Sequence, residues 1–205
     1  MKTRLILLTI ICILAGSCVK DKLETIYSKQ ETQIDAYITK NMVTKRDSTK
    51  MTVTPNIEDP TKNDTTYTKV QWDDTLDVVY NKGAARLVKK EGTGERLTKD
   101  GAVSFYYAGY VFTTQPSTLF ATNHEETATG AKFTLSDPDY EIIETDMSKA
   151  RFVEGLMNGL IGVRSGEECE IIFSGKYGFG DEIFGTIPVN SALLYKIWVV
   201  GVSNE

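Results

Sequence analysis

Residues 153–202 read VEGLMNGLIGVRSGEECEIIFSGKYGFGDEIFGTIPVNSALLYKIWVVGV, and two periodicities divide them. From Phe152 to Val163 apolar residues recur at helical spacing, which puts Val153, Leu156, Leu160 and Val163 on one face of a short helix stopped by Ser165-Gly166. From Glu168 to Ser174 the period falls to two, with Cys169, Ile171 and Phe173 on one face and Glu168 and Glu170 on the other. Ala192 to Val202 alternates again and gathers Leu193, Tyr195, Ile197 and Val199. A glycine-rich loop joins these two strands.

Towards the N-terminus the strand signals continue as far as residue 78. Ala102 to Phe112 sets Val103, Phe105 and Tyr107 against Ser104, Tyr106 and Ala108. Asp77 to Tyr80 and Ala84 to Lys89 flank Asn81-Lys82-Gly83, the pattern of a hairpin. Several antiparallel strands and one short helix predict an α+β domain built on a single sheet, residues 78–205. Residues 47–77 are rich in Thr, Asp and Pro and read as a linker or as edge strands. Residues 18–46 predict an amphipathic helix, on which Leu23, Ile26, Tyr27, Ile34, Tyr37 and Ile38 recur among Lys, Glu, Gln and Thr.

The first 17 residues are an address. Lys2 and Arg4 precede an apolar run from Leu5 to Leu14 that is short for a bilayer span, then the small residues Ala15, Gly16 and Ser17, then Cys18. This resembles a bacterial lipoprotein signal peptide, with Ala15 where the usual pattern has leucine. The resemblance implies lipidation at Cys18, export to the cell envelope and a lipid anchor, most simply on an outer membrane facing the periplasm. Plain secretion, or a short membrane anchor, is the alternative. Asp47-Ser48-Thr49, Asp64-Thr65-Thr66 and Asp74-Thr75-Leu76 resemble O-glycosylation acceptors of Bacteroidetes secreted proteins, a pattern that arises easily in Thr-rich sequence.

Composition removes much of ordinary enzyme chemistry. The 205 residues carry one histidine, His124, so no site needing two histidines can form. Three cysteines without a CxxC pair exclude a zinc ribbon and a disulfide framework, and no metal site is expected. Cys12 leaves with the leader and Cys18 takes the lipid, so Cys169 stands alone on an inward strand position, a buried small hydrophobe. His124, beside Glu125 and Glu126, is expected to be solvated. A formal net charge of −5 argues against nucleic acid as a partner. There is no GxSxG elbow, phosphate loop or GxGxxG fingerprint, and no cofactor is expected.

Taken in order, these segments resemble the FKBP-type peptidyl-prolyl cis–trans isomerases. The resemblance starts in ARLVKKEGTGERLTKDGAVSFYYAGYVF (Ala85 to Phe112), with its EGxG turn at Glu91 to Gly94 and the strand ending in Tyr107-Ala108-Gly109. It is strongest over Val153 to Val202, with the VxG helix start, the GE pair after the helix, the YxFG loop at Tyr177 to Gly180 and the Ile187-Pro188 turn. It implies an antiparallel sheet wrapped around a short α-helix, preceded here by a helical and extended N-terminal region. It implies proline-containing polypeptides as substrates, and a pocket in which Tyr107, Phe120, Val153, Leu156, Phe179 and Tyr195 act on the peptide while Phe152 and Ile187 bind it.

Departures from that pattern are as informative. Ala121 stands where the family typically has aspartate, Leu156 where tryptophan is common, and Phe179 where a tyrosine offers its hydroxyl. Ala131 is aligned with another pocket aromatic, and the stretch from 121 to 151 is longer than in a minimal domain, placed either to extend the groove or to cover it. The resemblance therefore leaves two readings open: an isomerase serving envelope proteins, at full or weak activity, whose N-terminal helix dimerises or docks, or a non-catalytic peptide-binding or structural module.

Overall fold

The computed structural model describes residues 2–55, 63–133 and 140–204. A helix, α1 (Lys2–Asn41), is followed by β1 (Val43–Pro55) and β2 (Asn63–Thr75), which pair antiparallel as a separate two-stranded sheet. The helix thus ends before residue 46, because the β-rich run from Val43 finds an antiparallel partner in residues 63–75. The remaining strands are β3 (Val78–Asn81), β4 (Ala84–Lys90), β5 (Ala102–Phe112), β6 (Pro116–Thr122), β7 (Ile143–Asp146), β8 (Glu168–Phe173) and β9 (Ala192–Ser203). Two short helices, α2 (Glu125–Ala131) and α3 (Glu154–Leu160), complete the set. The second sheet has the order β3-β4-β8-β9-β5-β6, all antiparallel, and β7 pairs with the other half of the edge of β5. This antiparallel sheet packed with short helices is the α+β architecture expected from the sequence.

Local chemistry sets these boundaries. The β3–β4 turn places Lys82 at φ 42° and Gly83 at φ 82°, the double left-handed turn that matches the twist of a hairpin. α3 lies directly on β8 through its glycines: a Cβ on Gly155 would fall 2.2 Å from Cγ of Phe173, and one on Gly159 the same distance from Cγ2 of Ile171. The inward residues Cys169, Ile171, Phe173, Leu193, Ile197 and Val199 pack with Leu156, Leu160 and Val163 into one core.

The opposite face of the sheet is covered by α1. Ile34 and Ile38 are buried there against Ala85, Phe112, Ile172, Ala192 and Leu194, while Ile26 stays exposed. Tyr37 stands edge-on to Phe112 and donates its hydroxyl to Oε2 of Glu170 at 3.0 Å. Glu170 also pairs with Lys89 at 3.3 Å, so the face of β8 opposite Cys169, Ile171 and Phe173 is a helix interface at this position. Burial and the Glu170 charge push the Tyr37 hydroxyl well above its ordinary range.

One ion pair lies inside the domain. Arg86 on β4 is buried with Nε 3.2 Å from Oε1 of Glu167, an ion pair without an aligned hydrogen bond. Its Nη1 donates to the carbonyls of Gly159 and Ile161 at 2.9 and 2.8 Å, which caps the C-terminal end of α3. Burial pushes the Glu167 carboxyl upward, and the neighbouring Arg86 guanidinium pulls it back. Cys169 is free and buried beside this pair, and burial pushes its thiol up.

Candidate active site

β5, β6, β9, α3 and the loop from Gly175 to Asn190 enclose an open cavity of about 320 Å³. Its floor is Leu156, in the first turn of α3, with Phe105 behind it. Tyr107 from β5 and Tyr195 from β9 stand side by side with ring centroids 6.2 Å apart. Phe120 from β6 meets Tyr195 edge-on at 5.7 Å. That contact requires Gly109, since a Cβ there would come within 2.6 Å of the Phe120 ring. Phe152 packs edge-on against Phe105 at 5.8 Å, and Val153 is the residue preceding the helix. Phe179 forms the rim, stacked on Phe184 at 4.4 Å, and Ile187 closes the wall between them and the core.

The structure therefore brings Tyr107, Phe120, Phe152, Val153, Leu156, Phe179, Ile187 and Tyr195 to one cavity. It does not bring Ala131 there. That residue ends α2 in an exposed position, and the wall is held by Ile143 of β7. Phe105 is fully buried core, as its alternation implies, and also backs the cavity. Phe184, Ile143, Arg151 and Thr186 line it too, without having been singled out in the sequence. The available signal for Phe184 was an apolar pair, Ile183-Phe184, within a loop of Gly, Asp and Glu; both are exposed. From the stretch 121–151 the described residues contribute Ala121, Ile143 and Arg151 to the lining and leave the cavity open.

Tyr107 is fixed by its backbone. Asn123 Oδ1 accepts from its N–H at 2.6 Å, and the Thr122 hydroxyl donates to its carbonyl at 2.7 Å. His124 is not free in solvent: its ring stacks on Trp198 at 3.9 Å, and Nδ1 accepts from the N–H of Thr127 to cap α2.

No carboxylate, imidazole or thiol lines the cavity among the described residues, and Arg151 is the charged group at its border. Burial pushes both tyrosine hydroxyls up, Tyr195 further than Tyr107, so both stay neutral at physiological pH. Among the described residues no group of His, Cys, Asp and Glu is placed to hold a metal ion. The site can desolvate an apolar ring and offer a few neutral donors. Among the described residues its lining offers no carboxylate, imidazole or thiol to act as nucleophile or base.

Comparison with known proteins agrees with this geometry. The chain matches the family model for FKBP-type peptidyl-prolyl cis-trans isomerase over residues 94–200. It is 25% identical to FK506-binding protein 1A of Aspergillus fumigatus over 125 residues, 60% of this chain and 97% of the relative. With FK506-binding protein 1A of Neurospora crassa the identity is 26% over 117 residues, 56% and 84% of the two chains. The crystal structure of the three FKBP domains of wheat FKBP73 shares the fold, with a TM-score of 0.51 at 21% identity, covering 68% of this chain and 54% of that one. The family match spans more than half of the chain and includes β5, β6, α3 and most of β9 around the cavity: the protein belongs to the FKBP-type peptidyl-prolyl cis–trans isomerases.

Proposed function

We propose that this isomerase is exported and lipid-anchored at Cys18, and that it speeds the folding of cell-envelope proteins by taking X–Pro segments into the aromatic cavity. The observation that carries the reading is the ring of Tyr107, Phe120, Phe179 and Tyr195 above Leu156, apolar, open and free of carboxylates among the described residues. Cis and trans X–Pro bonds differ by only about 0.5–1 kcal/mol, but the barrier between them is about 18–20 kcal/mol because rotation breaks amide resonance. The twisted imide has lost its charge separation and depends less on water. A dry pocket therefore favours it over the planar ground state.

In this reading the proline ring rests on Leu156 between Tyr107, Phe120 and Tyr195. The Val153 N–H, at the entry to α3, holds a flanking carbonyl, and Phe152, Phe179 and Ile187 shape the walls. A second reading keeps peptide binding without turnover. It is favoured by Ala121 and Phe179, which put a methyl and a phenyl where the family typically has a carboxylate and a hydroxyl.

A proline-limited refolding assay with the wild type, Tyr107→Ala and Phe179→Ala separates these. Acceleration by the wild type, lost in both variants, is expected. Equal refolding with and without the wild type sinks turnover in favour of binding alone, and acceleration kept by both variants sinks the site assignment. Mass spectrometry of the chain from membranes tests the anchor, and an unmodified Cys18 in a chain that begins at Met1 overturns it.

A further inference from the structure

The loop that carries the rim of the cavity is fastened at its stems by the N-terminal helix. Gln30 of α1 uses both ends of its amide: Oε1 accepts from the N–H of Gly175 at 2.8 Å, and Nε2 donates to the carbonyl of Asn190 at 2.6 Å. One turn earlier, the Tyr27 hydroxyl donates to Oδ1 of Asn190 at 2.7 Å. Gly175 and Asn190 are the two ends of the segment that presents Phe179, Phe184 and Ile187 to the cavity. The two stems touch as closely as backbones can, since a Cβ on Gly175 would lie 2.4 Å from the Asn190 carbonyl oxygen. Asn190 sits at φ 55°, a left-handed conformation that asparagine takes more readily than other non-glycine residues and that suits the sharp end of the loop. Within the loop itself Ile183, Phe184 and Val189 are exposed, so the loop has little core of its own to keep its shape.

We propose that Gln30, assisted by Tyr27, is a positioning residue of the isomerase site: it clamps the stems of the 175–190 loop so that Phe179, Phe184 and Ile187 stand where the substrate binds. The proposal rests on the isomerase reading of the cavity. α1 is thereby part of the enzyme, although none of its described side chains lines the pocket. A bidentate amide suits the task, because a side chain with a donor alone or an acceptor alone can hold only one stem.

The test uses the full chain in the refolding assay, with KM and kcat measured separately for the wild type, Gln30→Ala, Gln30→Glu and Ile38→Ala. Glutamate keeps the acceptor for Gly175 but, when ionised, sets a charge against the Asn190 carbonyl. Ile38→Ala weakens the packing of α1 two turns from the clamp. Gln30→Ala and Gln30→Glu are expected to raise KM about three- to tenfold, the range spanned by one or two lost hydrogen bonds, with kcat changed less than about twofold. Hydrogen exchange at the Gly175 amide should quicken about tenfold in Gln30→Ala, a readout independent of turnover. Ile38→Ala should lower the midpoint of unfolding and leave KM alone. A wild-type KM in Gln30→Ala overturns the clamp, as does an equal rise in Ile38→Ala. A wild type without acceleration overturns the isomerase reading and this role with it.

Discussion

The two faces of the β8–β9–β5 sheet are similarly apolar and are finished in different ways. On one face α1 is long enough to lay Ile34, Tyr37 and Ile38 along Phe112, Ile172 and Leu194, and the recess left beside β3 and β4 is bordered by the polar Glu31, Asp35, Asn81 and Lys82. On the other, α3 is only seven residues long. It covers Cys169, Ile171 and Phe173 and stops short of Tyr107 and Tyr195, whose rings border a cavity of about 320 Å³. The same kind of surface thus supports stability where it is filled and binding where it is left open. The difference lies in the length and placement of one helix, not in the composition of the strands.

The largest effect that tests this contrast belongs to neither face. Glu167→Ala leaves the buried Arg86 charge unpaired and should cost about 3–5 kcal/mol in urea unfolding, enough to disturb both faces together. A loss near zero would mean that water reaches the pair. Ile38→Ala, on the filled face, should cost about 2–5 kcal/mol and leave isomerisation per folded molecule unchanged. Loss of activity beyond loss of folded protein would show that the faces are coupled more tightly than their packing implies. Phe179→Ala, on the open face, should do the reverse: stability falls by less than about 1 kcal/mol because the rim is half-exposed, while kcat/KM falls at least about tenfold.

The smallest expected effect is that of pH. Burial raises the Tyr107 and Tyr195 hydroxyls above their ordinary value, so the protonated form persists to higher pH, and the described lining holds no carboxylate, imidazole or thiol. The isomerisation rate should therefore be flat from about pH 6 to 9. A bell-shaped profile would place a titrating group in the site and break the contrast at its open face.

The strands and helix that pack into the core around α3 were the readable elements. β5, β8 and β9 carry an apolar residue at every second position towards that core, although α1 buries part of their other face too, and α3 shows its apolar stripe at helical spacing. The cavity residues were legible as a set through their order along the chain, which the resemblance supplied. What depended on distant partners was not legible. Ile34, Tyr37 and Ile38 announced a helix face but not the sheet beneath it, nor that Tyr37 and Lys89 enclose Glu170 there. Phe184 belongs to no period, and a loop gives no rule for where its side chains go. His124 looked free because nothing nearby in sequence reveals that Trp198, on the last strand, lies flat against it. Gln30 was one polar residue among many on a helix, and its two partners lie some 145 and 160 residues further along.

The arginine that closes α3 has a kinetic meaning. Seven residues are too few for a helix to persist by itself in water. The last carbonyls of α3 are satisfied by a guanidinium held on β4, 73 residues earlier in the chain, and its glycines need β8 to lie against. α3 therefore has no stable existence until β4 and β8 have paired, which is a long-range and slow event. Leu156, the floor of the cavity, is set in place only after that pairing. The floor of this isomerase's cavity is thus a late product of the chain's own folding.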